Sequence, residues 1–90
     1  MDFYYLEGQF MTDRNSAYSY IAGQLDFPDY FGNNLDALAD CLSEMPRGCA
    51  IVISDPQVII DNLSYYGEAI IDVFKEMENR ETGYILVIRD

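Results

Sequence analysis

Apolar positions along this chain change period several times, and each change marks an element. Residues 2–7 are rich in Phe and Tyr and predict a first strand, ended by Gly8 before a polar turn. Thr12 or Asp13 then starts a helix on which Ala17, Tyr20, Ile21 and Leu25 recur at roughly helical spacing, with Gly23 near its end as a termination signal. In the stretch 25–42, LDFPDYFGNNLDALADCL, a short loop runs into an amphipathic helix whose buried stripe is Leu35, Leu38, Leu42 and Met45, closed by Pro46 and Gly48. Cys49-Ala50-Ile51-Val52-Ile53 is a continuous apolar run bounded by Gly48 and Asp55-Pro56, the pattern of a central strand buried on both faces of a parallel sheet. Pro56 at a first helical position, with Asp55 as its cap, opens a short helix through about Asn62.

From Tyr66, the spacing of Ala69, Ile70, Val73, Phe74 and Met77 predicts a longer amphipathic helix with Glu68, Asp72, Lys75 and Glu76 on its polar side. Gly83 separates it from Tyr84-Ile85-Leu86-Val87-Ile88, a last buried strand. Strands alternating with helices imply right-handed crossovers, hence an α/β fold with a small three-stranded parallel sheet and about four helices. Ninety residues suffice for one core, burying roughly two-thirds of the unfolded chain's surface, so a single domain over residues 1–90 is expected.

Charge narrows the function classes. Sixteen acids against five bases give a net charge of −11, and between Arg14 and Lys75 the sole base is Arg47. Such a field repels nucleic acid and draws in a cationic partner in a salt-dependent way, although acidity also serves solubility alone. Cys41 and Cys49 lack the paired spacing of a zinc site and read as two free, buried thiols. The start MDFYYLEGQF has neither the basic residues nor the long apolar run of a secretory signal, and no apolar run is long enough to span a bilayer. A cytoplasmic protein with no membrane partner is expected.

The helix after the loop carries acids and no bases, which points to a binding face rather than a pocket. Pro28 biases Phe27 toward an extended conformation, Gly32 can take a backbone angle other residues avoid, and Asn33 or Asn34 can cap the helix. Asp36 and Asp40 stand four residues apart and so share one side of it, next to the loop bearing Tyr30 and Asn34. Tyr30 has the ring and hydroxyl enriched in interface hot spots, whereas Phe31 reads as core packing. Gly32 would also let a partner approach the backbone, and Asn34 serves equally as contact or cap. Asp36, in the first helical turn, also favours the positive end of the helix dipole. Glu76 precedes Arg80 by four residues, the orientation of an intrahelical ion pair. Asp36, Asp40 and Glu76 would be the ligands or acid and base of any enzyme here. The sequence offers no histidine, no phosphate-cradling glycine loop and no nucleophile beside a base, so neither an enzyme nor a cofactor or metal is expected.

The segment Pro28, Asp29, Tyr30, Phe31, Gly32, Asn34, then Leu35, Asp36, Ala37, Leu38, Asp40, Cys41 and Leu42, closely resembles the signature of the barstar family. A weaker match is Val73-Phe74-Lys75-Glu76, and the order of elements agrees over nearly the whole length. The resemblance implies a small intracellular inhibitor that plugs the active site of a basic, secreted guanyl-type ribonuclease, one to one, with Asp40 in the enzyme's phosphate site and Glu76 as a peripheral contact. The alternative it leaves is an immunity or regulatory protein using the same face against another basic toxin protein. Family members often carry tryptophan where this chain has Ala39, so a large aromatic anchor is missing from the expected interface. The second cysteine also departs, preceding the central strand instead of lying near the chain's end. A homodimer is not predicted; the tyrosines that would supply a patch for one are Tyr4, Tyr18, Tyr65 and Tyr66.

Overall fold

The computed structural model describes residues 2–78 and 83–90. Its elements are strand β1 (Asp2–Glu7), a single 3-10 turn (Gly8–Phe10), helices α1 (Arg14–Leu25) and α2 (Leu35–Ser43), strand β2 (Cys49–Ser54), helices α3 (Pro56–Leu63) and α4 (Tyr65–Glu78), and strand β3 (Tyr84–Arg89). The three strands form one sheet in the order β1-β2-β3, both pairs parallel. The fold is therefore the α/β arrangement expected.

Both crossovers carry the chain in the same direction across the sheet, so a common right hand places both sets of helices on one face. The core agrees. Leu6, Cys49, Ile51, Ile53 and Tyr84 from the strands form one buried cluster with Ala17, Tyr18, Ile21 and Leu25 of α1, Leu38 and Leu42 of α2, Ile59 of α3, and Ile70, Ile71 and Phe74 of α4. Ala50 and Val52 are also buried but lie outside that cluster, because alternation along β2 turns them to the opposite face.

Side chains cap several backbone groups on the two free edges of the sheet. The Tyr20 hydroxyl accepts from the Glu7 N–H at 2.9 Å, and Gln24 Nε2 donates to the Tyr5 carbonyl at 2.7 Å. On the other side the Glu78 carboxylate accepts from the Leu86 N–H. Part of the edge backbone that would recruit a further strand is thus engaged within the chain.

Several boundaries differ from expectation. Helix α1 runs through Gly23 and stops at Asp26, which takes a left-handed conformation (φ 57°) and donates its N–H to the Ala22 carbonyl. A side chain at Gly23 would meet open space, so that glycine weakens the helix without ending it. Helix α2 ends at Ser43, before Pro46 and Gly48, which lie in the connecting turn where Gly48 has φ +80°. Asp55 does stand before Pro56, but its backbone is left-handed and its side chain makes no capping bond. The third strand is not buried: Tyr84 is, and its hydroxyl donates to the Phe74 carbonyl at 2.7 Å, while Ile85, Val87 and Ile88 are exposed on an edge strand. Cys49 is buried, but Cys41 is only half-buried. Of the four tyrosines considered for an association patch, only Tyr65 is exposed; Tyr18 is fully buried in the core, and Tyr4 and Tyr66 are half-buried.

Candidate protein-binding face

The loop between α1 and α2 is held from beneath by two aromatic rings. Phe27 and Phe31 pack with centroids 5.1 Å apart, and Phe31 meets Tyr18 edge-on at 5.8 Å. A turn from Pro28 to Phe31, closed by the Phe31 N–H on the Pro28 carbonyl at 3.0 Å, lies between these anchors. Tyr30 sits at the top of that turn and is 85% exposed. An aromatic so exposed costs the free chain apolar hydration and contributes nothing to its core, whereas against a partner it can supply both ring and hydroxyl.

Asn34 then starts α2. Its Oδ1 accepts from the Ala37 N–H at 2.8 Å, the N-cap bond, and its Nδ2 donates to the Gly32 carbonyl at 3.1 Å. The amide therefore staples the loop to the helix with both ends. Asn33, not Gly32, takes the left-handed backbone (φ 51°). At Gly32 room is short instead: a Cβ there would stand 3.2 Å from Asn34 Nδ2, a tight contact with the end of the side chain that makes the staple.

Along α2, helical periodicity sorts the side chains. Leu38, Leu42 and, just past the helix, Met45 are buried; Leu35 and Ala39 are half-buried; Asp36 and Asp40 are exposed. Asp36 lies in the first turn, where a carboxylate also favours the helix dipole. Ser43 Oγ donates to the Asp40 carbonyl at 2.6 Å and tightens the last turn. Burial first, then the Glu44 and Asp40 carboxylates, hold the Cys41 thiol above its ordinary range, so this helix carries a negative local field as well as negative residues. Helix α4 packs against α2 and presents Glu76 to solvent. Arg80, the base expected to pair with Glu76, lies outside the described residues.

Two hollows flank the loop, one of about 270 Å³ lined by Tyr4, Leu25, Phe27, Cys41 and Met45 among others, and one of about 430 Å³ against α1. Neither is lined by Tyr30, Asp36 or Asp40. The acids thus stand on open surface, where a carboxylate can enter another protein's cleft but cannot surround a substrate of its own. Among the described residues no three His, Cys, Asp or Glu side chains come together as a metal site, and no helix is long and apolar enough to cross a membrane.

A brace behind the loop escaped the sequence. The Tyr18 and Tyr66 hydroxyls share a hydrogen bond, and the Arg14 guanidinium lies 3.8 Å from the Tyr66 ring centroid. This links α1 to α4 and backs Phe31 through Tyr18. The two tyrosines are 48 residues apart, so no local pattern could announce the pair.

A loop packed on the core, an acidic helix rising from it and a one-sided parallel sheet define the class of this domain. A sequence profile of the Barstar family, described as Barstar (barnase inhibitor), matches residues 1–89, and the chain belongs to that family. It is also 36% identical over 58 residues to the Bacillus subtilis (strain 168) protein named "Putative ribonuclease inhibitor YrdF", a match covering 61% of this chain and 62% of the relative's length.

Proposed function

We propose that this chain is an intracellular inhibitor of a basic guanyl-type ribonuclease, and that Tyr30, Gly32, Asn34, Asp36, Ala39, Asp40 and Glu76 form the face that closes the enzyme's active site. The observation that carries it is the exposure of Asp36 and Asp40, beside Tyr30, on the outer side of α2 in a Barstar-family domain. Carboxylates held there by a capped helix present fixed negative charge where the enzyme would otherwise hold RNA phosphates, and charge-assisted hydrogen bonds from its arginines and lysines would replace those to the phosphates. Asp40 is the central contact and Glu76, on α4, a peripheral one. Within the set, Asn34 and Gly32 act chiefly by shaping the loop, since the Asn34 amide is already engaged at both ends.

A net charge of −11 adds long-range attraction to a cationic enzyme, raising the association rate most at low salt. The protein works in the cytoplasm as one copy per enzyme, an antitoxin or immunity protein that performs no chemistry itself. Calorimetry against an active guanyl-specific ribonuclease such as barnase, at low and near-physiological salt and with an RNA cleavage assay alongside, tests this. Tight one-to-one binding that abolishes cleavage is expected.

One observation favours a second partner class. Ala39 is small and half-buried, so the face has no large aromatic anchor between its two aspartates. The same surface would then serve against a different basic protein. Capture from a lysate of the source organism, with Asp40→Ala as the control, separates the two, and recovery of a ribonuclease alone removes the second.

A further inference from the structure

Parallel sheets are ordinarily covered on both faces, and among the described residues helices cover only one face of this one. On its open face the register places Phe3, Ala50 and Ile85 side by side, Tyr5, Val52 and Val87 in the next row, and Glu7, Ser54 and Arg89 in the last. Phe3 is 55% exposed, Tyr5 49%, Ile85 52% and Val87 39%. The Phe3 and Tyr5 rings stack, with centroids 6.3 Å apart, so β1 presents a continuous aromatic ridge. Between the flanking rows, Ala50 and Val52 make a buried, shallow centre. In a chain with sixteen acids, these two apolar rows contain none.

We propose that two copies of this chain pack through this face, sheet on sheet, about a two-fold axis running along the strands. That axis lays β1 of one copy over β3 of the other. Phe3 then faces Ile85 of the second copy and Tyr5 faces Val87, while Ala50 and Val52, already buried within each copy, lie beneath the contact on the axis. Glu7 faces Arg89 of the second copy, and the symmetry makes that ion pair twice. The face is thus self-complementary in charge as well as shape, which is what a two-fold interface requires. Aligned packing of this kind sets sheets about 10 Å apart with strands roughly 30° from parallel.

Edge pairing is the less favoured route, because Tyr20, Gln24 and Glu78 already occupy backbone groups on both outer strands. The face offers about 500 Å² per copy, or about 1,000 Å² in all, at the lower limit for a specific contact. The dimer is therefore a concentration-dependent one. Its interface lies across the sheet from α2, so it stands independently of the proposed inhibitor role and leaves both acidic faces free.

Sedimentation velocity from micromolar to near-millimolar protein, at near-physiological salt, tests the assembly. A monomer–dimer equilibrium is expected, with Ile85→Lys giving monomer throughout. Glu7→Arg alone and Arg89→Glu alone should each weaken the dimer by about 10-fold, through two lost pairs and two like-charge contacts, and the double variant should recover most of that loss. Thermal melts of each variant confirm that folding is retained. A wild-type monomer at every concentration overturns the proposal, as does a dimer indifferent to Ile85→Lys or a double charge reversal no stronger than the weaker single one.

Discussion

The outer side of α2 and the open side of the sheet are both exposed, yet one is carboxylate and the other apolar. The contrast comes from how each element divides its side chains. A helix of period 3.6 can bury Leu38 and Leu42 while turning Asp36 and Asp40 to solvent, so a single element serves core and surface at once. A strand has period 2, and β2 spends both of its faces on apolar residues although helices cover only one. Surface chemistry on α2 is therefore independent of the core behind it. On the sheet, the open face keeps the apolar character of a buried one.

The largest effect should come from the hidden half of α2. Leu42→Ala removes a fully buried side chain from the core cluster and should destabilise the domain by about 2–5 kcal/mol. Denaturant unfolding measures it. An unchanged midpoint would mean that the buried stripe of α2 carries little of the core, and the division between its two sides would fail.

The exposed half should behave oppositely. Asp40→Ala should leave the unfolding midpoint nearly unchanged while weakening ribonuclease binding by about 2–5 kcal/mol, a range to which close charge pairs between barnase and barstar themselves contribute. Glu76→Ala, on the neighbouring helix, should cost under about 1 kcal/mol, as a peripheral ion pair does. Calorimetry on the two variants decides the geometry, since equal losses would remove Asp40 from the centre of the interface. Neither substitution should change self-association through the sheet.

Next in size is the joint between loop and helix. Asn34→Ala deletes the cap on Ala37 and the hold on Gly32, and should cost about 1 kcal/mol of stability. Asn34→Asp keeps the cap acceptor but loses the amide donor, so it should recover part of that stability without restoring the Gly32 bond. If thermal melts show that Asn34→Ala costs nothing, the loop does not depend on this staple for its shape.

These elements also mark what the sequence could reveal. The element order, the parallel sheet and the sorting of Leu38, Leu42, Asp36 and Asp40 were legible because each rests on local periodicity. The cap narrowed to two residues, Asn33 and Asn34, and the structure separated them: one supplies the left-handed turn, the other the bond. Gly32 was misjudged because its glycine answers a lack of room beside Asn34 Nδ2, a neighbour relation and not a backbone angle. The burial of β3 was misjudged for a larger reason. An apolar run such as Tyr84–Ile88 reads alike whether a strand is central or at an edge, and coverage depends on crossovers that strand composition does not encode. The Tyr18–Tyr66 brace is longer in range still, so the proposed site residues stand in a local pattern while the contacts that support them do not.

The smallest effect concerns that support, and it appears only in alkali. Burial is the main cause holding the Tyr18 and Tyr84 hydroxyls above their ordinary pKa of 10.0; for Tyr18 the bond to Tyr66 adds to it, and for Tyr84 the Glu78 carboxylate does. Well below pH 10 both tyrosines are neutral in the folded and unfolded chains alike, so they add no pH dependence there. Above it the unfolded chain releases those protons while the folded chain retains them, so stability must fall as pH rises. Urea unfolding from pH 8 to 11 should show that decline, and Tyr84→Phe should make it shallower while losing the bond to the Phe74 carbonyl. If Tyr84→Phe left the limb as steep as in the parent, the Tyr84 hydroxyl would not be among the groups that folding keeps protonated.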